Sequence, residues 1–464
     1  MLRERYARRN LFEEIEGISL NMEPVLTQLD KLLEDDRVFR TVKGDLGRRY
    51  PRTLVTGRGS TPVEVVLRML VVKHLYGWSY EQTEQWVNDS LVLRQFCRVY
   101  LEKVPDDTTL IRWANLIQPT TLQGLLEHVV ELARQLKVTK GRKLRIDGTV
   151  VETNIHHPTD STLLQDGVRV LSRLVARAGR VLHGRASRGK GWIRQQTQTA
   201  REAWLSIVHA AQRRGEEAEA SMKQAYRTLL SVSQALLEQA QQVKDTLQLI
   251  SQPAAQRLLN QLAASIPRVH QVMRQTHRRV LNGESVPARD KLVSLFEPHT
   301  AIIRKGKFGK DVEFGRVIWL DEVDGGIVSR YAILSGNPPD ADQLQPSLDH
   351  HRARFGQSPH LLTADRKVFS PKGEAYATQY GVKYVAIPKP GARSPARQAH
   401  EAQPWFRSGR NWRAGLESRI SLLKRRFGLD RCRYHGDDGM QRWVGWGVIA
   451  YDLWAIARQV ACYG

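Results

Sequence analysis

The chain has 464 residues, too many for one hydrophobic core, and its 41% hydrophobic content excludes a disordered protein, so two or three structural units are expected. Lysine and arginine total 71 against 48 aspartate and glutamate, and the net charge of +23 favours a polyanionic partner such as nucleic acid. No apolar run approaches the ~20 residues that a bilayer span requires. Cys97, Cys432 and Cys462 are too scattered for a zinc finger or a disulfide framework, and we expect three small buried thiols in a reducing cytosol.

Residues 1–138 are predicted to form a helical domain. An apolar helix over 63–76 ends at Gly77, and Ser79 with Gln82 has the spacing of a capping box that opens the next helix. Residues 105–109 predict a turn and a cap before a short helix that carries Arg112. Helices separated by tight turns are compatible with a DNA-binding helix-turn-helix, although ordinary helical hairpins have the same pattern.

The remaining chain predicts a mixed α/β layer fold interrupted by helices. A strand over 143–151 is followed by a long amphipathic stretch, which we interpret as a helical insertion over 161–284 that forms an antiparallel pair or a small bundle. Residues 139–160 and 285–464 then make up the α/β domain. Its later elements are predicted as strands at 312–320, 327–334, 360–365 and 382–387, and helices at 340–355, 372–380 and 412–427, with a hairpin turn at 321–326.

Three acidic residues stand at positions that favour a metal site. Asp147 lies in the first strand, Asp365 closes a buried strand, and Glu417 lies on the last helix of the α/β domain. Carboxylate oxygens are the ligands that Mg²⁺ prefers, and two such ions can activate one oxygen and neutralise another at phosphorus. Taken singly, each acid is better explained as a turn or helix cap. Because 218 and 52 positions separate the three acids in sequence, only folding could unite them.

The helix over 412–427 adds a second observation. At about 100° per residue, Arg413, Glu417 and Lys424 fall within about 40° of one another on the helix. The adjoining face is apolar and predicts docking on the sheet through Leu416, Ile420, Leu423 and Phe427. The carboxylate would then lie among phosphate-binding cations. An exposed i, i+4 Arg–Glu pair is the alternative interpretation of the same pattern.

These motifs resemble those of bacterial insertion-sequence DDE transposases. Arg413-x₃-Glu417-x₆-Lys424 matches the Arg-Glu-Lys part of their Tyr-Arg-Glu-Lys signature. The segments around Asp147 and Asp365 resemble the first and second acidic motifs, and residues 105–110 resemble a Pro-Asp-x-Thr-Thr-Leu segment of the N-terminal domain. Residues 149–162 and the insertion are closest to the ISNCY group. The signature tyrosine is replaced by Arg410, so the role of that tyrosine is not carried over.

The resemblance implies a ribonuclease-H-like catalytic domain and Mg²⁺- or Mn²⁺-dependent cleavage at the ends of an insertion sequence, followed by strand transfer into target DNA. It implies that Asp147, Asp365 and Glu417 are catalytic and bind the metal, as two ions. Residues expected to contact DNA are Arg410, Arg413, Lys424, Arg366, Lys367 and Arg112.

The implied partners are double-stranded DNA, as inverted-repeat ends and as target, and a second copy of the chain in the complex that pairs two ends. A transposase of this kind would lie in the bacterial cytoplasm, associated with the nucleoid when bound to DNA. Two alternatives stay open on the sequence: a domesticated or inactive DNA-binding relative, and another ribonuclease-H-like nuclease.

Overall fold

The computed structural model describes residues 1–9, 22–49, 59–182, 189–307 and 310–463. It divides into two compact units. One unit contains residues 1–154 and 315–464, and the other contains residues 155–314. In the described residues no helix is both long enough and apolar enough to cross a membrane.

Within residues 1–9, 22–49 and 59–138, the first unit contains seven α-helices, which supports the helical prediction for the N-terminal region. Three predicted helix ends are confirmed. Gly77 ends the third helix in the left-handed conformation, Ser79 and Gln82 form the capping box, and Asp106 caps the helix that carries Arg112. The helices are α1 (Pro24–Leu32), α2 (Asp36–Leu46), α3 (Val63–Tyr76), α4 (Tyr80–Asp89), α5 (Leu91–Phe96), α6 (Asp107–Ala114) and α7 (Pro119–Gln135).

A mixed β-sheet forms the centre of the same unit. Strand β1 is antiparallel to β3, β4 is antiparallel to β3, and β5 and β6 continue the sheet from β1 in parallel. The short strand β7 pairs in parallel with the far end of β1. The strands are β1 (Lys143–Thr153), β3 (Lys310–Val323), β4 (Ile327–Leu334), β5 (Leu361–Ala364), β6 (Tyr384–Ala386) and β7 (Arg431–Cys432).

In its described residues, the second unit holds the predicted insertion as four α-helices, followed by strand β2 and the start of β3. The elements are α8 (Asp160–Val181), α9 (Lys190–Ala210), α10 (Glu216–Gln248), α11 (Pro253–Thr276) and β2 (Ala301–Lys307). Their apolar faces make a core of their own, as the 3.6-residue periodicity predicts, with Leu229, Leu236 and Leu262 fully buried. At both ends, this unit extends beyond the insertion predicted over residues 161–284.

Five helices complete the first unit. They are α12 (Leu344–Phe355), α13 (Pro371–Gln379), α14 (Pro395–Ala402), α15 (Pro404–Arg426) and α16 (Gly436–Tyr463). The sequence prediction placed a basic loop before a helix at 412. That prediction was wrong, because α14 occupies part of this segment and α15 begins eight residues earlier. Proline at the first position of each helix fits a helix start, and the sequence analysis overlooked this signal.

The predicted apolar face of α15 is confirmed, with Leu416, Leu423 and Phe427 buried. Two glycines bring this helix unusually close to the sheet. A Cβ atom at Gly409 would lie 2.6 Å from the Cβ of Ala386 on β6, and one at Gly415 would lie 2.7 Å from Arg145 Nη1 on β1. Larger residues at either position would push the helix away from the strands.

One cysteine expectation was wrong. Cys97 and Cys432 are buried, but Cys462 is exposed near the end of α16. Residues 458–462 of this helix are partly or fully exposed, whereas Trp446, Ile449 and Tyr451 in its middle are fully buried.

Candidate active site

The register of two parallel strands places the first two acidic residues side by side. Ile146 on β1 pairs with Ala364 on β5, and Asp147 and Asp365 are the next residues along each chain. Adjacent strands lie about 4.8 Å apart, so the two carboxylates leave the sheet at neighbouring positions. The strand that carries Asp365 ends there, which frees its side chain at the carboxyl edge of the sheet.

Helix α15 brings the third acid to the same place through Arg413. The Arg413 guanidinium contacts all three carboxylates. Nη2 lies 3.3 Å from Asp147 Oδ2 and 4.0 Å from Asp365 Oδ1, while Nη1 lies 3.3 Å from Glu417 Oε1. Residues separated by 218 positions in sequence thus share one cation. The i, i+4 pair on α15 exists, but the same arginine also reaches the sheet.

The three carboxylates differ in environment. The Asp147 side chain is 19% exposed, that of Asp365 36% and that of Glu417 66%. Burial raises the pKa of Asp147. The Arg413 charge and a 2.8 Å hydrogen bond from the Gly148 backbone N–H to Asp147 Oδ1 lower that pKa, and the negative charge of Asp365 raises it again. A cation among these groups therefore has a large electrostatic effect on Asp147.

Asp340 is a fourth acid near this group, and the sequence analysis missed it. It follows Pro339 at the start of the turn before α12. Burial raises the pKa of Asp340, and the charge of Asp365 raises it further while Lys367 lowers it. Asp340 also raises the pKa of Asp147. A Pro-Asp pair ahead of a helix resembles an ordinary helix start, so its sequence carries no signal of this location.

A buried ion pair fixes α15 next to the acidic residues. Arg145 lies two residues before Asp147, and its guanidinium donates to Glu322 on β3 and to the Trp412 backbone carbonyl on α15. The same guanidinium lies 4.7 Å from the centre of the Trp412 ring. Glu322 is fully buried and also lies 3.6 Å from Arg419 Nε. Because Trp412 directly precedes Arg413, this network sets where the Arg413 side chain starts.

The remaining basic residues predicted from sequence lie in different surroundings. Lys424 Nζ donates a 2.8 Å hydrogen bond to the Val150 carbonyl on β1. Arg366 and Lys367 are exposed directly after Asp365, and the Arg366 backbone N–H donates to Asp365 Oδ1 over 2.7 Å. Arg410 is exposed one turn before Arg413, and Arg112 is exposed on α6. In the described ranges neither Arg410 nor Arg112 forms an ion pair with the three acids. Contact of these residues with DNA stays a prediction.

The donor chemistry of the site fits a hard divalent cation, because all the converging groups offer carboxylate oxygens. The positions of these side chains do not form a metal site. Among the residues that the structure describes, no three acidic, histidine or cysteine side chains are close enough to share an ion. The guanidinium of Arg413 lies among the carboxylates in the position of a counter-cation. Metal binding by Asp147, Asp365 and Glu417 stays a prediction.

Two segments of the chain match known transposase families. Residues 322–453 match the family described as "Transposase DDE domain", and residues 16–116 match "Transposase domain (DUF772)". The chain is therefore similar to transposases in these two segments, and the match to the DDE domain includes Asp365, Arg413 and Glu417 but not Asp147. A DDE domain implies a ribonuclease-H-like fold, with which the mixed sheet and flanking helices agree.

The chain is similar to the "Uncharacterized protein ORF8 in nfe locus" of Rhizobium meliloti. The two are 29% identical over 130 residues, which cover 26% of this chain and 62% of the relative. The match thus spans less than two thirds of the relative's length. No solved structure matches the chain significantly.

Proposed function

We propose that the protein is an insertion-sequence transposase that cleaves DNA at the ends of its element and joins them to target DNA in a Mg²⁺-dependent reaction. The observation that supports this most strongly is the convergence of Asp147, Asp365 and Glu417 on one guanidinium. Carboxylates repel one another, so three of them gather only around positive charge, which Arg413 supplies in the described structure. A catalytic requirement for shared cations explains the arrangement, and the transposase domains support it.

Each residue has a proposed role in this reaction. Asp147, Asp365 and Glu417 would bind two divalent ions, which supply activation of the attacking oxygen and neutralise charge on the leaving oxygen. Asp147 would be the most constrained ligand, since β1 and the Gly148 N–H fix its orientation. Glu417 is the most exposed of the three and can turn toward an ion on the outer side.

The basic residues around the site would position the DNA strand. Arg366 and Lys367 follow Asp365 directly and are exposed, so a phosphate near the ions would lie within their reach. Arg410 and Arg413 lie one turn apart on α15 and would contact the backbone of the transposon end. The helices of residues 1–138 would bind end DNA and mediate pairing of two copies. Lys424 would add a contact if it exchanges the Val150 carbonyl for a phosphate.

Cleavage of a plasmid that carries the gene with its native flanking DNA tests the proposal. The wild-type protein should nick this DNA in Mg²⁺ or Mn²⁺ and not in EDTA. D147N, D365N and E417Q should each lose cleavage by at least about 10³-fold while still binding the DNA, because each removes a metal ligand and no DNA contact.

Matched controls are available on exposed positions far along the chain from the acids. D438N and E217Q make the same chemical changes at exposed residues and should cleave like the wild type. Cleavage that survives in D147N or D365N would refute the proposed active site.

A further inference from the structure

The Arg413 guanidinium holds the three carboxylates loosely. Its contacts of 3.3, 3.3 and 4.0 Å exceed the roughly 2.8 Å of a strong charge-assisted hydrogen bond. Elsewhere in the same chain Arg397 Nη1 lies 2.7 Å from Glu374 Oε1, and Arg431 Nη2 lies 2.7 Å from Glu152 Oε2. Arg413 is therefore shared among three acids without forming an optimal bond to any.

The same side chain has unused hydrogen-bonding capacity. Arg413 Nε is buried and has no hydrogen-bond partner in the described structure. A guanidinium that is only partly satisfied loses little when it moves to a better anion. Two oxygens of one phosphate can accept hydrogen bonds from two N–H groups of the guanidinium at once, which the three separate carboxylates do not do here. Arg413 can thus exchange carboxylates for phosphate at small cost.

We propose that the Arg413 side chain occupies the metal site in the free protein and moves out of it when DNA binds. Its guanidinium keeps Asp147, Asp365 and Glu417 together against their mutual repulsion, and it excludes divalent cations from the space among them. Transfer of the guanidinium to a DNA phosphate frees the carboxylates, so DNA and metal promote each other's binding. This inference rests on the proposed function, and it predicts that the free protein binds metal poorly.

Binding of Mn²⁺ to the full-length protein without DNA tests the first half. The free Mn²⁺ signal in electron paramagnetic resonance measures the affinity. R413Q should bind Mn²⁺ about ten- to a hundredfold more tightly than the wild type, because the competing charged contacts are gone. R413K keeps the charge and should lie between them. R407Q removes the same charge from an exposed position on α15 and should bind like the wild type.

The results separate this inference from the proposed function. R413Q affinity equal to or weaker than that of the wild type would overturn the inference and would make Arg413 only an organiser of the acids. Loss of tight Mn²⁺ binding in the double variant R413Q/D147N supports the acids as the site. Unchanged binding in that double variant would overturn the proposed metal site itself.

Reciprocal coupling tests the second half in the unmodified protein. A short DNA duplex of arbitrary sequence at low salt should raise the Mn²⁺ affinity of the wild type about tenfold or more, and Mn²⁺ should raise the DNA affinity by the same factor. The amount of Mn²⁺ bound by the complex of D147N with the same duplex measures the background contributed by the DNA, and it is subtracted. R413Q should lose most of the coupling. Equal Mn²⁺ affinity of the wild type with and without DNA would refute the exchange.

Discussion

Replacing Glu322 with glutamine should destabilise the protein strongly although it changes no atom of the candidate active site. Glu322 is fully buried, and its carboxylate accepts from Arg145, whose side chain is 5% exposed. Glutamine keeps the volume and one acceptor but removes the charge. The Arg145 guanidinium then stays buried between β1 and α15 without an anion, held by the Trp412 carbonyl and ring.

The expected magnitude follows from the burial of both partners. Breaking a buried ion pair by neutralising one member costs about 3–5 kcal/mol. Arg419, whose Nε lies 3.6 Å from Glu322, loses the same anion, which places E322Q toward the upper end of that range. Urea unfolding followed by tryptophan fluorescence measures the loss. The double variant R145M/E322Q should lose much less than the sum of the single variants, since the most deeply buried cation is removed together with its anion and the remaining cation, Arg419, is 35% exposed.

A half-exposed pair gives the matched control. Glu131 lies 3.0 Å from Arg134 and 3.5 Å from Arg354, and all three side chains are between 20% and 38% exposed. Water screens these contacts, so E131Q should cost no more than about 1 kcal/mol. E322Q should also reduce cleavage, because the network sets the position of Trp412 next to Arg413. Two results would refute this role of the Glu322 network in holding α15. One is an E322Q protein as stable as E131Q, and the other is a loss of stability in R145M/E322Q equal to the sum of the losses in R145M and E322Q.

Three further predictions concern pH, packing and DNA contact. Burial lowers the pKa of His351 to about 4 from about 6.5. Between these two values the unfolded chain binds a proton at His351 and the folded protein does not, so stability falls as pH decreases. H351Q removes the titrating group and can still donate to the Gly141 carbonyl. Between pH 7 and pH 5 its free energy of unfolding in urea should fall by about 2 kcal/mol less than that of the wild type, and an equal fall would contradict this. G409A should cost about 1–3 kcal/mol because its Cβ meets Ala386, whereas G191A has open space and should cost nothing; equal stabilities would show that α15 yields freely. K424A should lower the slope of log DNA affinity against log salt by about one, and an unchanged slope would remove Lys424 from the phosphate contacts.

Local patterns predicted the elements of the fold well. The period of α15 placed Arg413 and Glu417 on one face and buried the adjoining apolar face, and strand signals located β1 and β5 to within a few residues. These properties depend on neighbouring residues and on burial of one side, so the sequence expresses them directly. The start of α15 was misplaced because its glycines and polar residues weaken the helical pattern.

The site depends on tertiary contacts that no local pattern expresses. The sequence suggested three acids, but it did not indicate that Arg413 contacts all of them or that Asp340 lies close by. The close approach that permits this depends on Gly415, which by itself looks like a weak helix position. Buried Glu322 likewise resembles part of a polar turn until β3 pairs it with Arg145.

The most direct test of the account is the position of Mn²⁺ in crystals of the protein bound to DNA, located by anomalous scattering. We predict a peak at bonding distance from carboxylate oxygens of both Asp147 and Asp365, with Glu417 bound to the same ion or to a second ion nearby, and with the Arg413 guanidinium turned toward phosphate. Manganese bound elsewhere, with Arg413 still among the three carboxylates, would contradict the proposed active site.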